Sequence, residues 1–243
     1  DPAECILFID EIQAVPELFP KLRWFAEDMP ELPVLTAGSL LEFVLGNHEF
    51  SMPVGRISYM HLEQLTFEEF LLAQQKTTLL EQIKEFTWKD EITPITHDKL
   101  MSYVKEYTIV GGMPAAVHSW CTRQSIVEIS RIHNDILSTY RDDFGKYGSK
   151  IVPQRLDEVM TYVPRALGQQ FVYSGVNPQI RIPVIKEALD LLCKAKICNR
   201  ITASSANGVP LGAELLSQYI KVVLLDVGLA SSDLGLSITD LSS

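Results

Sequence analysis

The chain has 243 residues, enough for one large or two modest domains, and its composition is that of an ordinary globular protein, 47% hydrophobic and 21% charged. The longest apolar runs fall far short of a bilayer, which argues against a membrane-spanning helix. The net charge of −10 is uneven: residues 1–75 hold three basic and thirteen acidic residues, whereas the remaining 18 basic and 18 acidic residues cancel. This asymmetry predicts a two-part chain, divided into 1–75 and 76–243, and argues against nucleic-acid binding by the first part through electrostatics alone.

The first part alternates in the α/β manner. Residues 6–9 (ILFI) form a short unbroken apolar run, which predicts a strand buried on both faces. A helix is expected over 16–27, with Pro16 in its first turn, and a second strand over 34–37. Gly38 and Ser39 end that strand, 40–45 suggests a helix, and 46–51 is a polar loop. Residues 56–62 alternate as a third strand. Thr66 then opens an amphipathic helix, with Glu69 placed for a capping box.

From Thr77 onward the pattern is mostly helical. Helices are expected over 79–88, 97–107, 115–120, 125–140 and 153–167, and Pro164 must distort or end the last of these. Gly111-Gly112 followed by Pro114 interrupts the chain. Ile185, Ala188, Leu189 and Leu192 form one helical face. Strands over 196–201 and 220–225 flank a Gly/Ser/Asn turn region. Helices followed by a two-stranded ribbon predict a winged helix-turn-helix. The fold class is therefore a partial α/β core followed by a mostly α, winged-helix-like domain, with helix dominant overall.

The chain starts at Asp1-Pro2, without an initiator Met or a basic n-region, and reads as a fragment or a processed chain with no secretory signal in the residues given. Cys5, Cys121, Cys193 and Cys198 are scattered and read as buried free thiols of a cytoplasmic protein rather than a zinc site. The histidines have no metal-ligand spacing. Asp226 follows an apolar run much as Asp10 does, and reads as a cap on the turn at Gly228.

Three segments carry chemistry. Asp10 and Glu11 follow directly on residues 6–9, and two carboxylates at the end of a buried strand are costly unless they have a task. An ATPase supplies one: the first holds Mg²⁺ through its water shell and the second acts on the attacking water. A helix cap or a solvated edge is the plainer alternative. The second segment, Thr36-Ala37-Gly38-Ser39, could hold that water through a hydroxyl, or could simply end a strand. Arg56, in the third, suits phosphate oxygens, or one of the many local carboxylates.

In this order, LFIDEIQAVP, VLTAGSLLEF and MPVGRISYMHLEQLTFEEFLLA resemble the C-terminal half of an AAA-type P-loop ATPase core. The resemblance implies ATP and Mg²⁺ as cofactors of the intact protein. Asp10 would be the Mg²⁺-linked carboxylate and Glu11 the water-activating one. Thr36 or Ser39 would be sensor 1, and Arg56 an arginine finger or related sensor. If Arg56 acts in trans, self-association is implied. In the bacterial and archaeal group of such ATPases, a helical domain of unknown function follows the core. YTIVGGMPAAV, the Tyr140-Arg141-Asp142 segment, residues 185–198 and YIKVVLLDVGL resemble that domain. No G-x-x-x-x-G-K-[ST] occurs, so these 243 residues are expected neither to bind nor to hydrolyse ATP.

A different class of function remains open, a non-catalytic winged-helix module for DNA or a partner protein. Between positions 179 and 200, Arg181, Lys186, Lys194, Lys196 and Arg200 face only Glu187 and Asp190 in sequence. Arg181, Lys186 and Lys194 are the candidate DNA contacts.

Overall fold

A computed structural model of the chain describes residues 4–38, 55–146 and 151–236. It divides into two units, Asp1–Leu62 and Glu63–Ser243. Helix dominates the described residues.

In the first unit, β1 (Leu7–Ile9) and β2 (Val34–Thr36) pair in parallel, in the register Leu7↔Val34, Phe8↔Leu35, Ile9↔Thr36. Parallel neighbours need a crossover, supplied by a 3₁₀ turn at Ile12–Ala14 and α1 (Leu18–Asp28). The ladder is lengthened at both ends: Leu7 N–H donates to Pro33 O (3.0 Å), and Ala37 N–H to Ile9 O (2.9 Å). Ile12 and Phe19, each 1% exposed, anchor the unit.

Two expectations fail here. β1 is not buried on both faces: Leu7 and Ile9 are half-buried, while Ile6, Phe8 and Leu35 are more than half exposed. Side chains alternate with period 2, and the described residues cover only one face of this two-stranded sheet. Residues 56–62 form no strand. After a turn at Gly55-Arg56 the backbone is irregular, and Met60 and Leu62 project fully into solvent. Alternation creates a strand only where a neighbour takes its hydrogen bonds, and no described strand lies beside this segment. The expected helix at 40–45 and loop at 46–51 lie outside the described residues, as does Ser39.

The second unit starts with α2 (Phe67–Ala73), closed by the expected capping box. Thr66 Oγ1 accepts Glu69 N–H (3.2 Å), and Glu69 Oε2 accepts Thr66 N–H (2.8 Å). Then come α3 (Thr77–Glu85), α4 (Pro94–Val110), α5 (Pro114–Arg123), α6 (Ile126–Asp143) and α7 (Pro153–Arg165). Local chemistry sets these boundaries. Thr93 and Ser125 cap α4 and α6, and prolines open α4, α5 and α7. Pro164 sits in the last turn of α7, which ends one residue later.

A short helix α8 (Tyr173–Val176) leads to α9 (Ile182–Lys194), whose buried residues Ile185, Ala188, Leu189 and Leu192 are the face read from the sequence. Antiparallel β3 (Cys198–Ser204) and β4 (Leu215–Leu224) follow, with a bulge between Thr202 and Ala203, and α10 (Val227–Asp233) completes the described chain. The ribbon is longer than expected because β4 begins at Leu215, confining the turn region to ten residues.

The core of this unit has two parts. Phe70, Val110, Ala116, Val117, Trp120 and Ile129 form one cluster, flanked by Leu65, Phe67 and Tyr107. The other is built where α7, α9 and the ribbon pack together, from buried residues such as Val159, Met160, Val163, Leu189 and Val222. Phe171 N–H adds a rung on Ile220 O (2.8 Å). Of the four cysteines, only Cys198 is buried; Cys5 and Cys121 are exposed and Cys193 is half-buried, correcting the expectation of four buried thiols. Burial pushes the Cys198 thiol far above its ordinary range.

Candidate functional site

Asp10 and Glu11 leave the carboxyl end of β1, and Thr36 ends β2 beside Ile9. Ile12 N–H donates to Ala37 O (3.1 Å), so the chain after Glu11 is stitched to the chain after Thr36. Glu11 adopts a left-handed conformation (φ 50°), uncommon for a residue with a side chain, and this turns the chain sharply after the strand. Its amide donates to Asp10 Oδ1 (3.0 Å), and the Gln13 side-chain amide donates to Glu11 Oε2. Both carboxylates are exposed. The structure therefore sets two hard oxygen donors at the ends of parallel strands, where open α/β sheets bind their ligands.

Arg56 is half-exposed and lies 3.5 Å from Glu27 Oε1, which also accepts Arg23 Nε–H at 2.9 Å. This is the ion pair with a local carboxylate left open by the sequence. Thr36 and Arg56 line one groove of about 500 Å³, with Phe25, Met29, Leu35 and Met60 among its walls. Thus Asp10 and Glu11 follow β1 and Thr36 ends β2 on the neighbouring strand, while Thr36 and Arg56 share a groove that neither carboxylate lines. Ser39 lies outside the described residues. Among the described residues, no group of three or more His, Cys, Asp or Glu side chains could hold a metal ion by itself.

Arg181, at the N-cap of α9, and Lys186 and Lys194 on that helix are exposed, away from its buried face. Asp190, one turn from both lysines, is tied to Arg200 of β3.

A second polar centre, in the second unit, was not assembled by sequence reasoning. Asp226 is 2% exposed. It caps α10 as expected, accepting Leu229 N–H at 2.9 Å, but it also accepts Gly112 N–H at 2.6 Å across 114 positions. The approach demands glycine: a Cβ on Gly111 would stand 2.2 Å from Asp226 Oδ1, and one on Gly228 2.6 Å from Gly111 N. Buried His133 donates from Nε2 to Val110 O (3.0 Å), and burial lowers its pKa against the opposing pull of Asp226. Tyr107 donates to Leu65 O (2.6 Å); burial, followed by the Asp226 and Glu69 charges, pushes its hydroxyl up to about 12. The signal was present in the sequence as two glycine-bearing stretches, VGGMP and LLDVGLA, which begin 114 positions apart.

Comparison with known families gives two matches. A profile described as an AAA domain covers residues 1–71, and a profile described as a domain of unknown function, DUF8612, covers residues 101–240. No curated protein and no solved structure matches the chain. No helix among the described residues is long and apolar enough to cross a membrane.

Proposed function

Since the chain belongs to the family described as a domain of unknown function, DUF8612, and carries an AAA-domain match ahead of it, we propose that it is the second half of an ATP-hydrolysing AAA-type core joined to its C-terminal domain. The observation that carries this reading is the parallel β1–α1–β2 unit with Asp10 and Glu11 at its carboxyl ends. The donor set fits Mg²⁺, which prefers hard oxygens and keeps much of its water shell. An exposed carboxylate such as Asp10 can reach it through that shell. Bound Mg²⁺ would neutralise charge on the phosphates.

In this reading Glu11 orients the attacking water and takes its proton. Thr36 or Ser39 positions that water. Arg56 exchanges Glu27 for phosphate oxygens, in cis or, in a self-associated form, in trans. The phosphates also need the backbone cradle and lysine of a G-x-x-x-x-G-K-[ST] loop, a motif that does not occur in these 243 residues, so inactivity of the chain as given is part of this proposal.

Calorimetric titration of the 243-residue chain with Mg·ATP tests the inactivity, and the expected result is no saturable binding at micromolar concentration. Saturable binding overturns it. In a longer chain that supplies the phosphate loop, Asp10→Asn is expected to remove Mg²⁺-dependent hydrolysis.

A second reading has its own support. The packing of α7, α9 and the β3–β4 ribbon, with the Phe171 rung on β4, supports a winged helix-turn-helix reading. Exposed Lys186 and Lys194 stand about 12 Å apart along the axis of α9, comparable to the roughly 12 Å width of a DNA major groove. Asp190 between them is occupied by Arg200. With Arg181, this face is proposed to contact the backbone of a DNA duplex, while a protein partner is the other outcome. Fluorescence anisotropy on a labelled duplex tests it: Lys186→Glu with Lys194→Glu should abolish binding, and undiminished binding rules this helix out.

A further inference from the structure

The residues that join the two units do not behave as a linker. The second unit starts at Glu63, and residues 63–73 are fastened within it by five contacts, three of them on Tyr107. The Gln64 side-chain amide donates to Leu225 O. Leu65 N–H donates to Gly112 O (2.8 Å), and Leu65 O accepts the Tyr107 hydroxyl (2.6 Å). Phe67 and Phe70 pack on the Tyr107 ring, with centroids 5.6 and 5.3 Å away. Phe70 and Leu71 are fully buried. The rung at Gly112 leads directly to Asp226, whose carboxylate holds the Gly112 N–H from the other side of the same residue.

We infer that residues 63–73 are a strap buckled into the C-terminal domain by Gly112 and Asp226, opening and closing with that domain and not with the β1–β2 ladder. The chain from Arg56 to Gln64 has no described helix or strand, so the first tie to the domain is the Gln64 side chain on Leu225 O. The next runs from Leu65 through one backbone pair to Gly112, and then to the carboxylate that caps α10. His133 and Ser231 fasten the surrounding backbone, through Val110 O and Thr108 O. Gly111 and Gly228 allow the close approach at the buckle. The inference stands on the geometry of the C-terminal domain alone and is untouched if the nucleotide reading fails.

Hydrogen exchange of individual amides in the 243-residue chain tests it. The Leu65, Phe70 and Gln74 amides should exchange together with those of Gly112 and Leu229, and separately from the Leu7 and Ala37 amides of the β1–β2 ladder. Asp226→Asn places an NH₂ group against one of the two N–H donors, and should speed strap exchange by about tenfold or more. If that variant does not fold, Tyr107→Phe carries the test. It removes only the bond to Leu65 O, and should speed exchange at Leu65 and Phe70 together with Gly112 and Leu229, while the Leu7 and Ala37 amides keep their wild-type rates. Strap amides that exchange with the β1–β2 ladder, or that keep wild-type rates in Tyr107→Phe, overturn the inference.

Discussion

Gly112→Ala is the sharpest perturbation of the C-terminal domain. A Cβ at this position would sit 2.0 Å from Leu65 O and 2.9 Å from both Leu65 C and Leu65 N. All three are backbone atoms, so no side-chain rotation relieves the overlap. An ordinary contact is 3.4–4 Å, and the Leu65 peptide must therefore move by about 1.4 Å or more. That displacement breaks the Leu65 N–H to Gly112 O bond and the Tyr107 hydroxyl bond to Leu65 O. Two hydrogen bonds at about 1 kcal/mol each and overpacking of about 1–3 kcal/mol give a loss of about 3–5 kcal/mol. This is a large fraction of the stability of a typical domain, on the order of 5–15 kcal/mol. Urea unfolding followed by the fluorescence of Trp120, which lies in the cluster with Phe70, measures the loss directly. Trp24 and Trp88, both exposed, are replaced by Phe in the parent chain so that one tryptophan reports. Gly208→Ala is the control: nothing lies within 4 Å of its Cβ, and it should stay within about 0.5 kcal/mol. A Gly112→Ala chain as stable as that control would refute the strap geometry.

Three further outcomes follow from the same structure. His133 has its pKa lowered by burial, so the unfolded chain binds a proton that the folded chain resists. The stability it contributes is complete above the unfolded value of about 6.5 and is lost as pH falls below it; a pH series of urea midpoints should show this slope, absent in His133→Gln. Thr66→Ala removes the capping box of α2 and should cost about 1 kcal/mol, read by thermal unfolding, with Thr66→Ser restoring most of it. Arg141 joins Asp157 of α7 (2.7 Å) to Asp233 of α10 (2.9 Å), and its partly exposed pairs should make Arg141→Ala cost about 1 kcal/mol in urea unfolding, less at high salt.

What the sequence disclosed was mostly local. Thr66 with Glu69, Ser125, Pro114 and Pro153 mark helix starts because capping acts over three or four residues. The buried face of α9 was legible from the spacing of Ile185, Ala188, Leu189 and Leu192. The β1–β2 pair was legible as two short apolar runs separated by a helix. The failures are all questions about partners. Residues 56–62 alternate like a strand, but alternation does not say whether a neighbour exists. Phe8 belongs to a run typical of a doubly covered strand, yet only its surroundings decide whether it is covered. The carboxylates at Asp10 and Glu11 stood out because a charge pair after four apolar residues is a local oddity. Asp226 stood out for the same reason and was read correctly as a cap, but its bond to Gly112 spans 114 positions and leaves no periodic trace. What it leaves is composition: glycines at 111, 112 and 228, the places where a Cβ would collide.

The central claim is that Asp10 and Glu11 form the metal-and-water half of an ATP-hydrolysing site. It is tested most directly by Glu11→Gln in a longer chain that also supplies a phosphate-binding loop. Filter-bound ATP and released phosphate are measured on the same preparation. The account predicts wild-type ATP binding with turnover reduced by about 10²-fold or more, as expected when a positioned base is lost. Turnover equal to that of the unsubstituted chain would contradict it.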